Sequence, residues 1–494
     1  MTLTELNLWR TTLQFLAVRC TSTCARQFAI VSALLGLSLA AQATEPNLPM
    51  AMPGWNLVAI DTPTQTYIDY VNVPRSGKWE FAWPMLAKWE SQKTYTAVRF
   101  QPFTVRAQRT LTVAQIFAFL PATKRARRII NIKTYGATTT RDATDAIQNA
   151  LDAAGEEARE NSPVDVLVPA GTYTHNDLLT VPPYVRLRGY PEDAGGTLKA
   201  TNSNESAVHL DGNGSGVLFL KLTSTATVRG STPDQALIEV GDAWNGVYTT
   251  SNILIVGNTL TGGNAAVNAG VEYHGLYAFN LATGALADSF YHTFGSSYGQ
   301  VIGNIATNGG DDFYSFDGYV GEVNGIVHHF AAIANYGDTT ASDGVCACGV
   351  AYLTVQNNHF SHAQGAGISI YQNGGMNMFG DLYVYATNNT LSDNAFHQAN
   401  GWAYDGIWVE SDNPSGSNIS NVFGTVQNTH QKLFINDNAI SSTHINANGG
   451  GHGIGLYNCN NVTVDNNTLT DNQASPQLNI SGCTDVTESD NAVN

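Results

Sequence analysis

An asparagine leading a small or apolar triplet recurs along the C-terminal three-fifths of this chain. It appears at Asn258, Asn304, Asn358, Asn389, Asn438, Asn467 and Asn491, in segments such as GNTL, NNTL and DNAI. The intervals are 46, 54, 31, 49, 29 and 24 residues. They fit one or two turns of a coil of roughly 22 to 30 residues with loops inserted, the mark of a solenoid. Strands this short cannot bury a face alone, whereas stacked coils can. Coils stacked about 4.8 Å apart put equivalent side chains in columns. Asn suits the corners because it tolerates left-handed backbone, and its amides can hydrogen-bond up a column. Ile368, Ile370, Val462 and Val464 are expected to fill the bore.

Upstream, residues 1–43 read as an export signal. Arg10, Arg19 and Arg26 precede an apolar run from Phe28 to Ala41, and Ala41-Gln42-Ala43 offers small residues for cleavage. The run is short for a membrane span, so the mature chain is expected to be secreted or periplasmic and free of the membrane. An uncleaved anchor is the alternative. Residues 44–128 carry Trp55, Trp79, Trp83, Trp89 and alternating runs such as Tyr95 to Phe100, and read as a small β-rich module. Residues 129–494 form the solenoid. A helix opens it: Thr140 or Asp142 can cap, Ala143, Ile147, Ala150, Leu151 and Ala154 recur at helical spacing, and Gly155 falls near the end. Extended runs from Val164 to Val168 and from Val185 to Arg188 follow.

Four cysteines lie beyond the signal. An even number in an exported chain favours disulfides over metal thiolates. Cys459 and Cys483 are 24 residues apart, equal to the last Asn interval, so the two sulfurs are expected on adjacent coils and bridged. Cys346 and Cys348, with one residue between them, stay open between a bridge and two buried thiols.

The segment Ile130 to Ala137, the helix with Asp145-Ala146-Ile147-Gln148, Val168-Pro169-Ala170-Gly171-Thr172-Tyr173 and the Leu187-Arg188-Gly189 turn resemble the opening of the pectate-lyase-like right-handed parallel β-helix superfamily. The resemblance covers about 60 residues; the remainder matches by periodicity only. It implies an all-β right-handed parallel β-helix with an N-terminal capping helix. It also implies a polysaccharide bound along an external groove, and leaves hydrolase, lyase, epimerase and tailspike open.

Glycoside hydrolysis needs two carboxylates. The densest acids run from Asn308 to Gly318, with Asp311, Asp312, Tyr314 and Asp317; Asp288 precedes Asp311 by 23 residues, close to one coil. His328 follows within a coil. The arrangement resembles that of polygalacturonase-type hydrolases, but no Asn-Thr-Asp triplet or Arg-x-Lys motif accompanies it. Calcium binding or a solvated loop is the alternative, since Gly-Gly-Asp-Asp is also turn chemistry. Alternation along a strand lets at most one of Asp311 and Asp312 face the groove unless a turn exposes both. A second cluster, Trp402, Tyr404, Asp405, Trp408 and Glu410, offers rings for sugar stacking beside acids, or rings packed under loops. Glu272 with Tyr273 and His274 is a weaker third. His452, in a Gly-His-Gly element with no Asp pair one coil upstream, reads as a turn.

Charge sorts the reaction classes. From Ser231 to Asn494 there are 22 Asp and Glu against a single base, Lys432. Such a surface repels nucleic acid. A uronan lyase or epimerase must hold a polyanion and stabilise an enolate, which calls for cations. Hydrolysis of a neutral or weakly charged glycan by carboxylates, with no required cofactor, is therefore the expected activity. A Ca²⁺-assisted lyase or C5-epimerase is the second reading and a non-catalytic adhesin or glycan-binding solenoid the third.

Overall fold

The computed structural model describes residues 128–494, apart from short stretches at 190–195, 231–234, 242–249, 320–324, 373–377, 397–403, 413–418, 422–423, 427–429 and 446–448, together with three earlier strands. Those strands, Gly54–Asp61, Thr66–Val73 and Ala97–Pro102, form an antiparallel sheet with Gly54–Asp61 in the middle. The expected export signal and Trp402 lie outside the described residues.

From Arg128 the chain winds as a right-handed parallel β-helix. Three parallel sheets of 11, 13 and 12 strands run its length, and each strand inside them pairs with its counterpart one coil before and one coil after. Valine, leucine and isoleucine alternate inward; Ile368, Ile370, Val462 and Val464 are buried in one continuous core as expected. The capping helix spans Thr144–Glu157 and buries Ile147, Ala150, Leu151 and Ala154, with Asp142 accepting from the Thr144 N–H. Gly155 falls near the end of the helix as expected, at a position where a Cβ would meet Pro182 at 2.9 Å.

The asparagine column is longer than its sequence trace. Nine residues, Asn258, Asn280, Asn304, Asn335, Asn358, Asn389, Asn438, Asn467 and Asn491, form an unbroken ladder in which each Nδ2 donates to the next Oδ1 at 2.9–3.1 Å. Each interior Nδ2 also donates to a strand carbonyl, as Asn304 does to Tyr277, and each Oδ1 also accepts a backbone N–H. The left-handed backbone falls on the preceding residue instead, such as Phe279, Ala334 or Asn357. Asparagine is therefore selected here for its amide, which satisfies buried corner groups that water cannot reach.

Candidate active site

The 11-stranded sheet positions the site. Along it, Phe290–Thr293, Tyr314–Asp317, Val345–Cys348, Ile368–Gln372 and Ile407–Ser411 lie side by side. Alternation sends Phe290, Tyr314, Phe316, Val345 and Ile368 into the bore and Tyr291, Ser315, Asp317, Cys346 and Cys348 outward. The outward residues floor a cleft of about 280 Å³. Asp288, Asp311, Asp312 and Asp343 line it from the turns that lead into these strands, and Arg229, Tyr319, Tyr371, Tyr404 and Trp408 complete its walls.

Four of the five expected catalytic residues, Asp288, Asp311, Asp312 and Asp317, thus meet in one cleft. A turn before the Tyr314–Asp317 strand brings both Asp311, half-buried, and Asp312, buried, to the cleft. The register differs from expectation by one residue: Phe290 pairs with Tyr314, so Asp312 is the neighbour of Asp288 one coil on. Asp343 continues that column. Asp312 Oδ1 accepts the Asp343 N–H at 2.8 Å, and Asp343 Oδ1 accepts the Ala366 N–H at 2.6 Å. Single oxygens of Asp288, Asp311 and Asp312 lie within 4.8 Å of one another, a set that could ligate a cation.

Arg229 already brings positive charge to that set, its Nη2 lying 2.5 Å from Asp311 Oδ2. Burial, then the charges of Asp311 and Asp317, push the Asp288 carboxyl well above the usual range, with Arg229 pulling the other way. Burial and Asp311 raise Asp312 similarly. Asp317, buried and hydrogen-bonded by Ser315, Tyr291 and Tyr319, is pushed up to about 7, and Asp343 also to about 7. The cleft therefore holds several carboxyl groups that keep a proton near neutrality beside one ion-paired carboxylate, a division suited to acid and base roles.

The other expected residues fall elsewhere. His328 lies on the 13-stranded sheet in Val327–Ile333, its Nδ1 2.9 Å from that of His329, and burial lowers it to about 4. Tyr314 points into the bore, stacked on Phe290 at 5.3 Å, because it occupies an inward position of its strand. Tyr404 and Trp408 do line the cleft, 5.1 Å apart, and Tyr371 stacks on Trp408 at 4.8 Å. Asp405 is fully buried two rungs beyond Asp343, accepting the His452 N–H at 2.9 Å and the Tyr457 hydroxyl at 3.0 Å. Glu410 projects outward beside Asp412, and burial, then the Asp412 charge, raise its carboxyl above the usual range. Glu272 faces the bore, where burial pushes it up to about 8. Both cysteine pairs, Cys459 with Cys483 and Cys346 with Cys348, are bridged. Among the described residues no helix is long and apolar enough to cross a membrane.

Arg229, Asp343, Tyr319 and Tyr371 were not singled out by sequence. Asp343 had one available signal, the motif Ser342-Asp343-Gly344 roughly one coil after Asp312.

No family model matches the chain, and no curated protein does. Solved structures share its fold. The A-module of a mannuronan C-5 epimerase from Azotobacter vinelandii superposes with a TM-score of 0.52 at 16% identity, over 74% of this chain and 99% of that one. A family 28 exopolygalacturonase from Yersinia enterocolitica gives 0.50 at 11% identity, over 89% and 84%. These likenesses establish the right-handed parallel β-helix architecture.

Proposed function

We propose that this chain is a glycoside hydrolase acting on a polysaccharide laid along the outer face of the 11-stranded sheet. The observation that carries the proposal is the convergence of Asp288, Asp311 and Asp312, each from a turn entering that sheet, on one cleft walled by Tyr371 and Tyr404. Asp311, ion-paired to Arg229, is the base that takes a proton from the attacking water. Burial and the neighbouring carboxylates favour the protonated forms of Asp288 and Asp312, and one of them delivers its proton to the leaving glycosidic oxygen. The tyrosines offer apolar ring surface to the sugars. The named activities of the two fold neighbours, an epimerase and an exopolygalacturonase, keep polysaccharide chemistry in range. Secretion, or release to the periplasm, fits a chain with two disulfides.

A second reading, a Ca²⁺-assisted lyase or epimerase, is favoured by the carboxylate set within 4.8 Å. Incubating the protein with a panel of neutral and acidic glycans separates the two. Hydrolysis releases reducing ends, gives no ultraviolet-absorbing unsaturated product and survives chelation. Absorbing product, or inversion at C5 without cleavage, abolished by chelator, would favour the second reading. Silence across a broad panel would favour a binding solenoid.

A further inference from the structure

Cys346 and Cys348 are separated by one residue and bridged on the floor of the cleft. As a staple the bridge has little to do. A disulfide stabilises by closing a loop in the unfolded chain, and a loop with a single intervening residue removes less chain entropy than any longer one. The core does not need the two sulfurs either: Val345 and Ala347 fill the inward positions of that strand, and both cysteines face out. What surrounds them is chemistry. Cys348 pairs in register with Asp317, and Cys346 with Ser315. The two Sγ atoms and one oxygen of Asp317 all lie within 4.8 Å of one another, and Cys346 Sγ forms a second such set with Asp312 and Asp343.

We infer that reduction of the Cys346–Cys348 bridge turns the cleft floor into a binding site for a thiophilic divalent cation such as Zn²⁺, held by the two thiolates and the Asp317 carboxylate. In the first step a dithiol reductant takes up the oxidising equivalents: the S–S bond breaks, the reductant closes to its own cyclic disulfide, and two cysteine thiols form. In the second, Zn²⁺ replaces the two thiol protons, which leave to solvent. Two sulfurs and a carboxylate oxygen supply three of the four ligands a tetrahedral site requires, and Asp312 and Asp343 flank the fourth. The oxidised bridge has no thiolate to offer, so the site exists only in the reduced protein. This inference stands apart from the hydrolase assignment, because it concerns metal binding alone.

The test is a Zn²⁺ titration of the full chain against a chromophoric chelator, with the protein oxidised or reduced by a dithiol that is then removed without oxygen. The reduced protein is expected to take up one equivalent that the oxidised protein does not. The C346S/C348S variant should lose that uptake, D317N should hold the ion at least tenfold more weakly, and C459S/C483S should behave as wild type. Charge-transfer absorption with Co²⁺ in place of Zn²⁺ reports thiolate ligation directly. Equal uptake by oxidised and reduced protein, or uptake retained in C346S/C348S, would overturn the inference.

Discussion

Arg229 and Asp311 stand 82 residues apart in the chain, yet a guanidinium nitrogen of one lies 2.5 Å from a carboxylate oxygen of the other. Among the described residues lining the cleft, Arg229 is the only base. It favours the ionised form of Asp288 against burial and against Asp311. Removing it in R229M should therefore raise the Asp288 pKa further. The alkaline limb of the pH profile of kcat/KM is expected to move to higher pH, with a loss in rate of roughly tenfold or more because Asp311 loses the guanidinium that positions it. An unmoved limb would separate Arg229 from the acid.

Asp311 and Asp312 differ in structural duty. Asp312 Oδ1 caps the backbone N–H of Asp343, whereas Asp311 pairs with an exposed arginine. D312A should lower stability by about 1–3 kcal/mol, the cost of a buried N–H left without its partner. D311A should change it by no more than about 1 kcal/mol. Chemical denaturation of both variants measures the difference.

The ladder makes its own prediction. The Asn304 side chain takes part in four hydrogen bonds, accepting from Asn280 N and Nδ2 and donating to the Tyr277 carbonyl and Asn335 Oδ1. Asn304→Ala should cost about 2–5 kcal/mol, as for other losses within a buried polar network. Asn491→Ala, at the open end of the column, should cost less. Equal costs would mean that the ladder follows the fold and does not support it.

Inside the bore, Glu272 sits 3.9 Å from His292, both fully buried. Burial pushes Glu272 up from 4.5 to about 8 and His292 down from 6.5 to about 3. For Glu272 the folded state binds its proton more tightly, so its contribution is full below pH 4.5 and is lost as pH rises towards 8. For His292 the folded state resists protonation, so stability is lost as pH falls from 6.5 towards 3. Between pH 6.5 and 8 Glu272 acts and His292 does not, and there E272Q should reduce the decline, to which the buried Asp317 and Asp343 also contribute up to about pH 7, by up to about 1.4 kcal/mol per pH unit. Thermal unfolding of both proteins across that window decides it.

Much of this was legible before any coordinates. Seven rungs of the ladder were visible because Gly, Asn or Asp precedes them; Asn280 and Asn335 were hidden because Phe279 and Ala334 take the left-handed position instead. The carboxylate cluster was legible from coil spacing, but its register was not, since coil length varies and only strand pairing sets Asp312 against Asp288. Tyr314 was misplaced although the signal existed: it lies an odd number of residues from Asp317, so the two face opposite ways. Arg229 could not be read, because its partner lies several coils away and nothing local marks either residue.

The most direct test compares reducing-end release by the wild-type protein and by D288N, D311N and D312N on whichever glycan the wild type cleaves. The account predicts that D311N, and whichever of D288N and D312N removes the acid, lower kcat by about 100-fold or more, while D311N unfolds at the wild-type denaturant midpoint. Wild-type turnover in both D311N and D312N would contradict it.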